Sequence, residues 1–379
     1  MNKHVEFEQP GIIVLGGHIQ ALGIIRILGR RGIKSVIIDK TKKNISRHSK
    51  YCDLFILCKD DELLSRLMSL GQEKKYQNWV LFPTNDFHVK VLSQNRNKLQ
   101  KYFIVSTDCW KVIDAFYNKR NTYKIVDKIG VPFPKTWFPD SISDLATINV
   151  KFPCIIKPAV MHDFYKFTKQ KVFICKDKNE LFIKYNIALK IIPSTEIIVQ
   201  EIIPGSSNNQ FSACFLFINR KSYAYITACR MRQHPIDFGN ATTYAETVDL
   251  PILKEYSEKI LNEANYSGIC EVEFKFDDRD NTYKFLEVNP RTWKWHTIAN
   301  KTKTPFLWLF YNYLIGKTIE PVSDFSQASF FHFITDFPTA FRLFFKGSML
   351  WARLKRPIEN AVWTTDDIKP WIYEKIYLF

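Results

Sequence analysis

No C-x-x-C pair occurs among the eight cysteines of this chain; Cys52, Cys58, Cys109, Cys154, Cys175, Cys214, Cys229 and Cys270 are scattered. Most lie in apolar, strand-like runs such as 211-FSACFLFI-218. That excludes a zinc ribbon and a disulfide framework and predicts buried, reduced thiols. No apolar run is long enough to span a bilayer, since 305-PFLWLFYNYLIG-316 is short and interrupted by Asn312. Nothing near the N-terminus reads as a signal peptide, because the apolar stretch at 12–15 is short, flanked by glycines and lacks a small-residue cleavage site. A cytoplasmic protein is expected. Zinc-finger and RNP-type motifs are missing, as are internal repeats and low-complexity tracts. The G-x-G-x-x-G fingerprint is absent too, the glycines running Gly16, Gly17 and then Gly23. A dinucleotide site of the Rossmann kind is therefore not expected.

What is present is a globular composition, 46% hydrophobic and 24% charged, over 379 residues, enough for two or three domains. The formal net charge of +16 calls for an anionic partner. With no nucleic-acid motif, phosphate-bearing substrates or an acidic membrane face suit it better than a specific nucleic acid.

The N-terminal segment alternates strand and helix. The run 11-GIIVLG-16 reads as a buried strand, 18-HIQALGIIRILGRRG-32 has helical spacing, and 33-IKSVIID-39 reads as a second strand. A further strand, 79-WVLFP-83, leads into Thr84, Asn85 and Asp86, where ligands of open α/β sheets bind. A helix N-cap would use the same residue types. The stretch 110–130 has a helical pattern ending at Gly130, and 131-VPFPKTW-137 is extended, as its prolines demand.

Chemistry concentrates in 270-CEVEFKF-276 and 285-FLEVNPR-291, joined by the turn-forming 277-DDRDNT-282. In a strand, residues two apart share a face, so Glu287, Asn289 and Arg291 point together, with Phe285 on the same side and Leu286 and Val288 on the other. Paired as a hairpin, the two strands bring Glu273 to them. Two carboxylates and an amide oxygen at one point would repel without a cation, and Mg²⁺ (or Mn²⁺) favours such oxygen ligands while leaving positions for phosphates. The same acids on an exposed sheet face would be plain solvated residues. Lys157 ends the apolar strand 152-FPCIIKP-158 and Lys119 lies in 115-AFYNKRNTYK-124, both suited to phosphate oxygens. The run 196-EIIVQEIIPG-205 can offer its backbone to adenine while Glu201 accepts from the amino group, with Asn208 and Asn209 at a reach for ribose.

In this order the elements 116-FYNKRNTYKIVDKIGVPFPKT-136, 152-FPCIIKP-158, 199-VQEIIPG-205, 270-CEVEFKF-276 and 285-FLEVNPR-291 resemble the ATP-grasp superfamily. The segments 16–33, 157–173, 230–243 and 287–296 carry a closer likeness to D-aspartate-ligase-like carboxylate–amine ligases. The resemblance implies an α/β and α+β architecture. A Rossmann-like pre-ATP-grasp domain (1–115) would precede a two-lobed ATP-grasp domain (116–318), with a helical or irregular, aromatic and basic extension (319–379). It implies ATP and Mg²⁺ as cofactors, with Lys119 and Lys157 on the phosphates and Gln200, Glu201 and the Ile203 backbone on adenine. Asn208 or Asn209 would touch ribose; Glu273, Glu287 and Asn289 would bind the metal. Arg291, with Arg230 or Arg232 on one face of a strand, would steady the transferring phosphate. The activity implied is ATP-dependent amide formation from a carboxylate and an amine through an acyl-phosphate, with a cell-envelope amine as one acceptor. Transfer to another nucleophile, as in carboxylases or carbamoyl-phosphate enzymes, and a non-catalytic nucleotide-binding module are the alternatives. The segment departs from the wider pattern in one respect. The loop 158-PAVMHDFYKFTKQ-170 has no glycine, so side chains such as Lys166, Lys169 or Lys171 would hold phosphate in place of a glycine-rich lid, or the lid would be partly disordered without ATP.

Finally, 337-FPTAFRLFFKGSMLWARLKR-356 carries five basic residues, no acid and many aromatics. Such a stretch can lie on an anionic membrane, at its inner face, which would suit a lipid-linked glycan as the amine acceptor. Packing of its aromatic face onto the protein body is the competing reading.

Overall fold

A computed structural model describes residues 9–205, 207–234, 241–345 and 356–377. The N-terminal sheet is parallel, with strands β1 (Ile12–Leu15), β2 (Ser35–Asp39), β3 (Leu54–Leu57), β4 (Val80–Pro83) and β5 (Ile104–Val105) in the order β3-β2-β1-β4-β5. Helices α1 (Ile19–Gly29), α2 (Leu63–Gln72), α3 (Asp86–Gln94) and α4 (Arg96–Leu99) connect them. Ile12 and Val14 enter one hydrophobic cluster and Ile13 and Leu15 another. That is why β1 reads as an unbroken apolar run: both its faces are buried. Gly16 adopts a positive φ of 94°, and the Gly17 N–H donates to the Asp39 carboxylate. The turn thus closes on the protein's own acid.

The helical stretch expected over 110–130 is two helices, α5 (Trp110–Tyr117) and α6 (Lys119–Lys128). Asn118 breaks the run with φ −96° and ψ 107°, and its side chain accepts from the Arg120 N–H. The cap sets Lys119 in the first turn of α6. A four-stranded sheet follows, β6 (Thr136–Trp137), β7 (Cys154–Pro158), β8 (Phe173–Cys175) and β9 (Ile197–Glu201), in the order β6-β9-β7-β8 and covered by α7 (Met161–Thr168) and α8 (Lys178–Leu189).

The largest sheet has seven strands: β10 (Gln210–Ile218), β11 (Lys221–His234), β12 (Ala241–Thr247), β13 (Gly268–Asp277), β14 (Thr282–Asn289), β15 (Ser329–Phe331) and β16 (Ile358–Asn360). Their order is β14-β13-β10-β11-β12-β15-β16. Helices α9 (Pro251–Glu263), α10 (Phe306–Leu314), α11 (Phe333–Phe345) and α12 (Lys369–Ile376) complete the chain. Residues of α1, α10 and strands β10 and β11 share one core with Ala361 and Val362. The C-terminal stretch is therefore not only helical or irregular: it adds β15 and β16 to the sheet. All eight cysteines are free thiols and six of them are buried.

Candidate active site

Strands β13 and β14 pair antiparallel with Glu273 opposite Glu287 and Glu271 opposite Asn289. The register then shifts, so that Phe274 faces Phe285 and Leu286 is the extra residue of a bulge. This reverses the expected sidedness of the strand's first part. Phe285 is fully buried in the core with Phe274 and Val288, whereas Leu286 lines the cleft beside Glu287. Glu287 and Asn289 keep the shared face that alternation gave them.

That face looks into a cleft of about 1020 Å³ between the sheets. Lys119, Lys157, Gln200, Glu201 and Ile203 line it, and so do Arg230, Glu273, Glu287, Asn289 and Arg291. Lys119 Nζ lies 3.0 Å from Glu287 Oε2, and Arg230 Nη2 lies 3.0 Å from Glu273 Oε2. Asn289 Nδ2 donates to Glu271 (3.2 Å) and Glu273 (3.1 Å). Its Oδ1 accepts from Arg291 Nη2 at 3.1 Å, while Arg291 Nε pairs with Asp86 at 2.7 Å. The acids are thus neutralised by Arg230 and Lys119, so their convergence does not by itself demand a metal.

Among the described residues no three His, Cys, Asp or Glu side chains form a metal-binding group. The oxygens of Glu273, Glu287 and Asn289 fit Mg²⁺ in the mode in which protein gives a few hard ligands and phosphates and waters give the rest.

Electrostatics follows from the burial of this cluster. The ammonium of Lys119, joined by Lys171 and Lys157 against the cost of burial, holds Glu287 down at about 2. Burial, reinforced by Glu273, pushes Glu271 up to about 7. Glu271 also accepts from Ser212 Oγ (2.9 Å) and Trp295 Nε1 (3.2 Å). Lys157 is brought down to about 7 by burial and by Lys119, with Tyr123 Oη 2.8 Å from its Nζ. The Tyr123 hydroxyl donates to the Leu286 carbonyl at the bulge (2.9 Å), joining α6 to β14.

Three expectations need correction. Arg232 does not share the face of Arg230. Paired register shifts in β11 and β12 around it turn its guanidinium onto Asp336 of α11 (2.8 and 2.7 Å) and over the Tyr244 ring, away from the cleft. Asn208 and Asn209 are also absent from the lining; Asn209 Nδ2 donates to Asp278 at 2.9 Å in a short 3₁₀ turn. The Glu201 carboxylate already accepts from Lys135 N–H (2.8 Å) and Arg279 (3.2 Å), so its side chain ties β9 to its neighbours as well as facing the cleft. Of the lid lysines, Lys171 lines the cleft and Lys166 and Lys169 are exposed outside it; the lid itself carries helix α7. Asn85 and Asp86 line the cleft, with Asn85 also capping α3, and Thr84 is buried, donating to the Leu15 carbonyl.

Glu271 and Lys294 join the cleft without having been singled out, and so does the Tyr123 contact behind Lys157. Glu271 had a legible signal, lying two residues from Glu273 on one strand face. A second cavity of about 490 Å³ adjoins the first, sharing His18, Ile19, Asn85 and Phe87 with it, and reaches Lys40, Lys43 and Glu374.

This architecture has known counterparts. Residues 232–307 match the family model described as carbamoyl-phosphate synthase L chain, ATP binding domain. The chain is 23% identical over 321 residues to a D-aspartate ligase of Enterococcus faecium (strain Aus0004), covering 77% of this chain and 73% of the relative. The biotin carboxylase domain of a Hydrogenobacter thermophilus 2-oxoglutarate carboxylase, solved with MgADP, ADP and bicarbonate, superposes with a TM-score of 0.64 at 16% identity, covering 82% of this chain and 71% of that one. An L-amino acid ligase from Bacillus licheniformis gives 0.61 at 13% identity, over 83% and 78% of the two chains. Residues 232–307 thus resemble that ATP-binding domain, and the chain shares the fold of these solved structures. Its likenesses include a D-aspartate ligase and an L-amino acid ligase.

Proposed function

We propose that this chain is an ATP-grasp ligase that converts a carboxylate to its acyl-phosphate with ATP and passes the acyl group to an amine, forming an amide and releasing ADP and phosphate. The observation that carries this reading is the meeting, in one cleft, of two phosphate-type lysines with an oxygen-rich acid pair and Arg291. Lys119 and Lys157 bind the nucleotide phosphates, and Gln200, Glu201 and the Ile203 backbone border the adenine. Glu273, Glu287 and Asn289 hold Mg²⁺, which when bound offsets the charge of the phosphates. Arg291 and Arg230 steady the transferring phosphoryl group by preorganised positive charge.

In the first step a carboxylate oxygen attacks the γ-phosphorus and the bond to ADP breaks. In the second the amine lone pair attacks the acyl carbon, the carbon–oxygen bond to phosphate breaks, and the amine gives up a proton. The D-aspartate ligase and L-amino acid ligase likenesses support an amino acid as the carboxylate. The adjoining cavity gives room for the amine. The test is phosphate release from ATP across a matrix of amino acids and amines. Glu287→Gln and Arg291→Ala should each lower turnover about a hundredfold or more, the usual cost of one preorganised charge, ~3 kcal/mol. Normal turnover in either variant removes that residue from the mechanism. Bicarbonate-dependent release with no amine requirement would favour the carboxylase-type reading, which the 2-oxoglutarate carboxylase likeness supports.

Peripheral contact with an anionic membrane belongs to the same proposal. On α11, Phe333, Phe337, Phe341 and Phe345 recur every four residues with successive ring centroids 4.8–6.4 Å apart, the first two pairs stacked and the last edge-to-face, and with Phe344 they are 49–71% exposed. Asp336 and Thr339 on its other side are buried. An apolar helix face on a chain of net charge +16 suits anionic lipid. The rest of the basic stretch, 346–355, lies outside the described residues. No described helix is long and apolar enough to cross a membrane. Sedimentation with phosphatidylserine-containing vesicles at low salt should capture the protein, and a Phe337→Ser, Phe341→Ser variant should escape. Equal recovery of both in the supernatant ends the membrane reading.

A further inference from the structure

The strands of the parallel sheet run outward from β1 to β3 on one side and from β4 to β5 on the other. The crevice at the C-terminal ends of β1 and β4 is where an open α/β sheet takes a ligand. His18 stands there, just past β1 at the N-cap of α1, and its exposed ring lines both the main cleft and the adjoining cavity. Its Nε2 lies 3.0 Å from Oγ1 of Thr84, the residue after β4. Gly16 permits this approach, since a side chain there would collide with the Thr84 hydroxyl and crowd His18 Nε2.

Hydrogen bonding fixes which ring nitrogen holds the proton. Thr84 Oγ1 has a single proton and gives it to the Leu15 carbonyl, which can only accept. Toward His18 the hydroxyl oxygen is therefore the acceptor, so Nε2 carries the N–H and the lone pair of the neutral ring is on Nδ1. Although the ring is open to the cavities, the surrounding protein first and the Arg291 charge next lower it below its ordinary 6.5, while the Gln20 side chain favours the protonated form. The ring is thus neutral at pH 7. His88 on α3 and His296 after β14, each brought down to about 4 by burial, add no charge beside it. Across the second cavity Lys40 pairs with Asp60 (2.6 Å), Glu374 with His332 (2.7 Å), and Asp39 accepts from the Gly17 N–H.

The segment that holds His18 also holds the reacting end of the cleft. Asp86, two residues after Thr84, pairs with Arg291 at 2.7 Å, so His18 and Arg291 are fastened to the same three residues. The acids of the cleft are already engaged: Asp86 by Arg291, Glu201 by Arg279, Glu273 by Arg230 and Glu287 by Lys119. Glu271 accepts from Ser212, Asn289 and Trp295.

We infer that His18 is the general base of the second half-reaction, with Thr84 as its positioning residue. As the amine nitrogen bonds to the acyl carbon and phosphate leaves with the carbon–oxygen electron pair, Nδ1 takes the N–H proton, and the imidazolium then releases it to water. The inference rests on the ligase reading and adds the group that accepts the proton.

The test sets hydroxylamine, a weakly basic nucleophile that captures an acyl-phosphate without a base, against ammonia, methylamine and glycinamide. The acids are the common L-amino acids, D-aspartate and D-alanine, each with ATP. His18→Gln should lower amide formation relative to hydroxamate formation about a hundredfold or more, the usual worth of a general base, and remove the acid limb of the pH profile for amide formation. Thr84→Val, which frees the ring to change tautomer, should lower the same ratio by less. Nitrogen NMR of histidine-labelled wild type should show the Nε2–H form at His18, assigned by the signal lost in His18→Gln. An Nδ1–H form, an unchanged ratio, or equal loss of both products in a variant with an unaltered unfolding midpoint overturns the assignment. Should His18→Gln fail to fold, Thr84→Val and the tautomer decide. A wild type that forms hydroxamate but no amide, or neither product, overturns the ligase reading instead, whatever the tautomer.

Discussion

Lys157 is the residue whose chemistry was most legible and whose environment was least so. An apolar strand ending in Lys-Pro announced a buried stem with a cation at its tip. The nearby Lys119 and the phenol of Tyr123 come from a helix whose approach no local pattern records. With burial as the main cause, Lys119 adding to it and Glu287 opposing, the ammonium titrates at about 7. The sign follows directly. The unfolded chain keeps this proton up to the ordinary 10.5 while the folded one releases it near 7, so stability without ligand rises between those values. Polyphosphate beside Lys157 favours the charged form, so nucleotide binding at pH 8 should take up a proton and weaken as pH climbs. Calorimetry in two buffers of different ionisation enthalpy would measure this, and Lys157→Met should abolish it; uptake that persists in the variant assigns the proton elsewhere. Glu287 runs the opposite way. Held at about 2 by Lys119, it contributes stability present above its ordinary 4.5 and lost as pH falls from there toward 2. Acid unfolding of Glu287→Gln should show a flatter limb in that window. The carboxylates themselves were readable because alternation on a strand is a strict rule, and Asn208 and Asn209 were not, because position in a loop follows no such rule.

At the scale of the element, errors gather where the ladder slips. The bulge at Leu286 sends Phe285 to the core and keeps Glu287 in the cleft, and the shifts around Arg232 separate it from Arg230. A one-residue slip exchanges the two faces of a strand, and nothing in the local sequence marks it. The consequence for Arg232 is structural: with Asp336 and Thr243 it fastens α11 to β11 and β12 in a buried, nearly dry pair. Removing one partner strands the other's charge. Asp336→Ala should therefore cost about 3–5 kcal/mol, whereas an Arg232→Met, Asp336→Leu double variant should cost much less. Urea unfolding midpoints would distinguish them, and equal losses in the single and double variants would show that the charge pair is not what fastens the helix. The break at Asn118 was missed for a related reason. A capping asparagine inside a continuous helical pattern is also an ordinary helix-surface residue.

Across the whole molecule, the opening β1–α1–β2 unit and the β13–β14 hairpin were legible because each is built from neighbours in sequence. The role of the C-terminal stretch was hidden because its partners are distant in sequence, those in α1 by more than three hundred residues. Strand β15 pairs with β12, β16 pairs with β15, and Val362 packs in the core shared with α1. The tie is completed by Arg26 of α1, buried, whose guanidinium meets Asp367 (2.9 Å) and the carbonyls of Val362 and Asp367 (2.7 Å each). The same carboxylate accepts from Ser49 Oγ and the Lys50 N–H, so one acid joins three segments. This makes residues 356–377 part of the body that shapes the cleft. A chain ending at residue 318 would expose the β12 edge and leave Arg26 charged and alone in the core, so it should express as aggregate. Asp367→Ala isolates the second effect from the first. It keeps β15 and β16 yet removes the counter-charge and three acceptor contacts, and should lower stability by about 3–5 kcal/mol. If thermal and urea unfolding place Asp367→Ala within about 1 kcal/mol of the unaltered chain, a surface-like value, the buried pair is not what binds the tail to α1. The tail's strands would then carry that attachment alone.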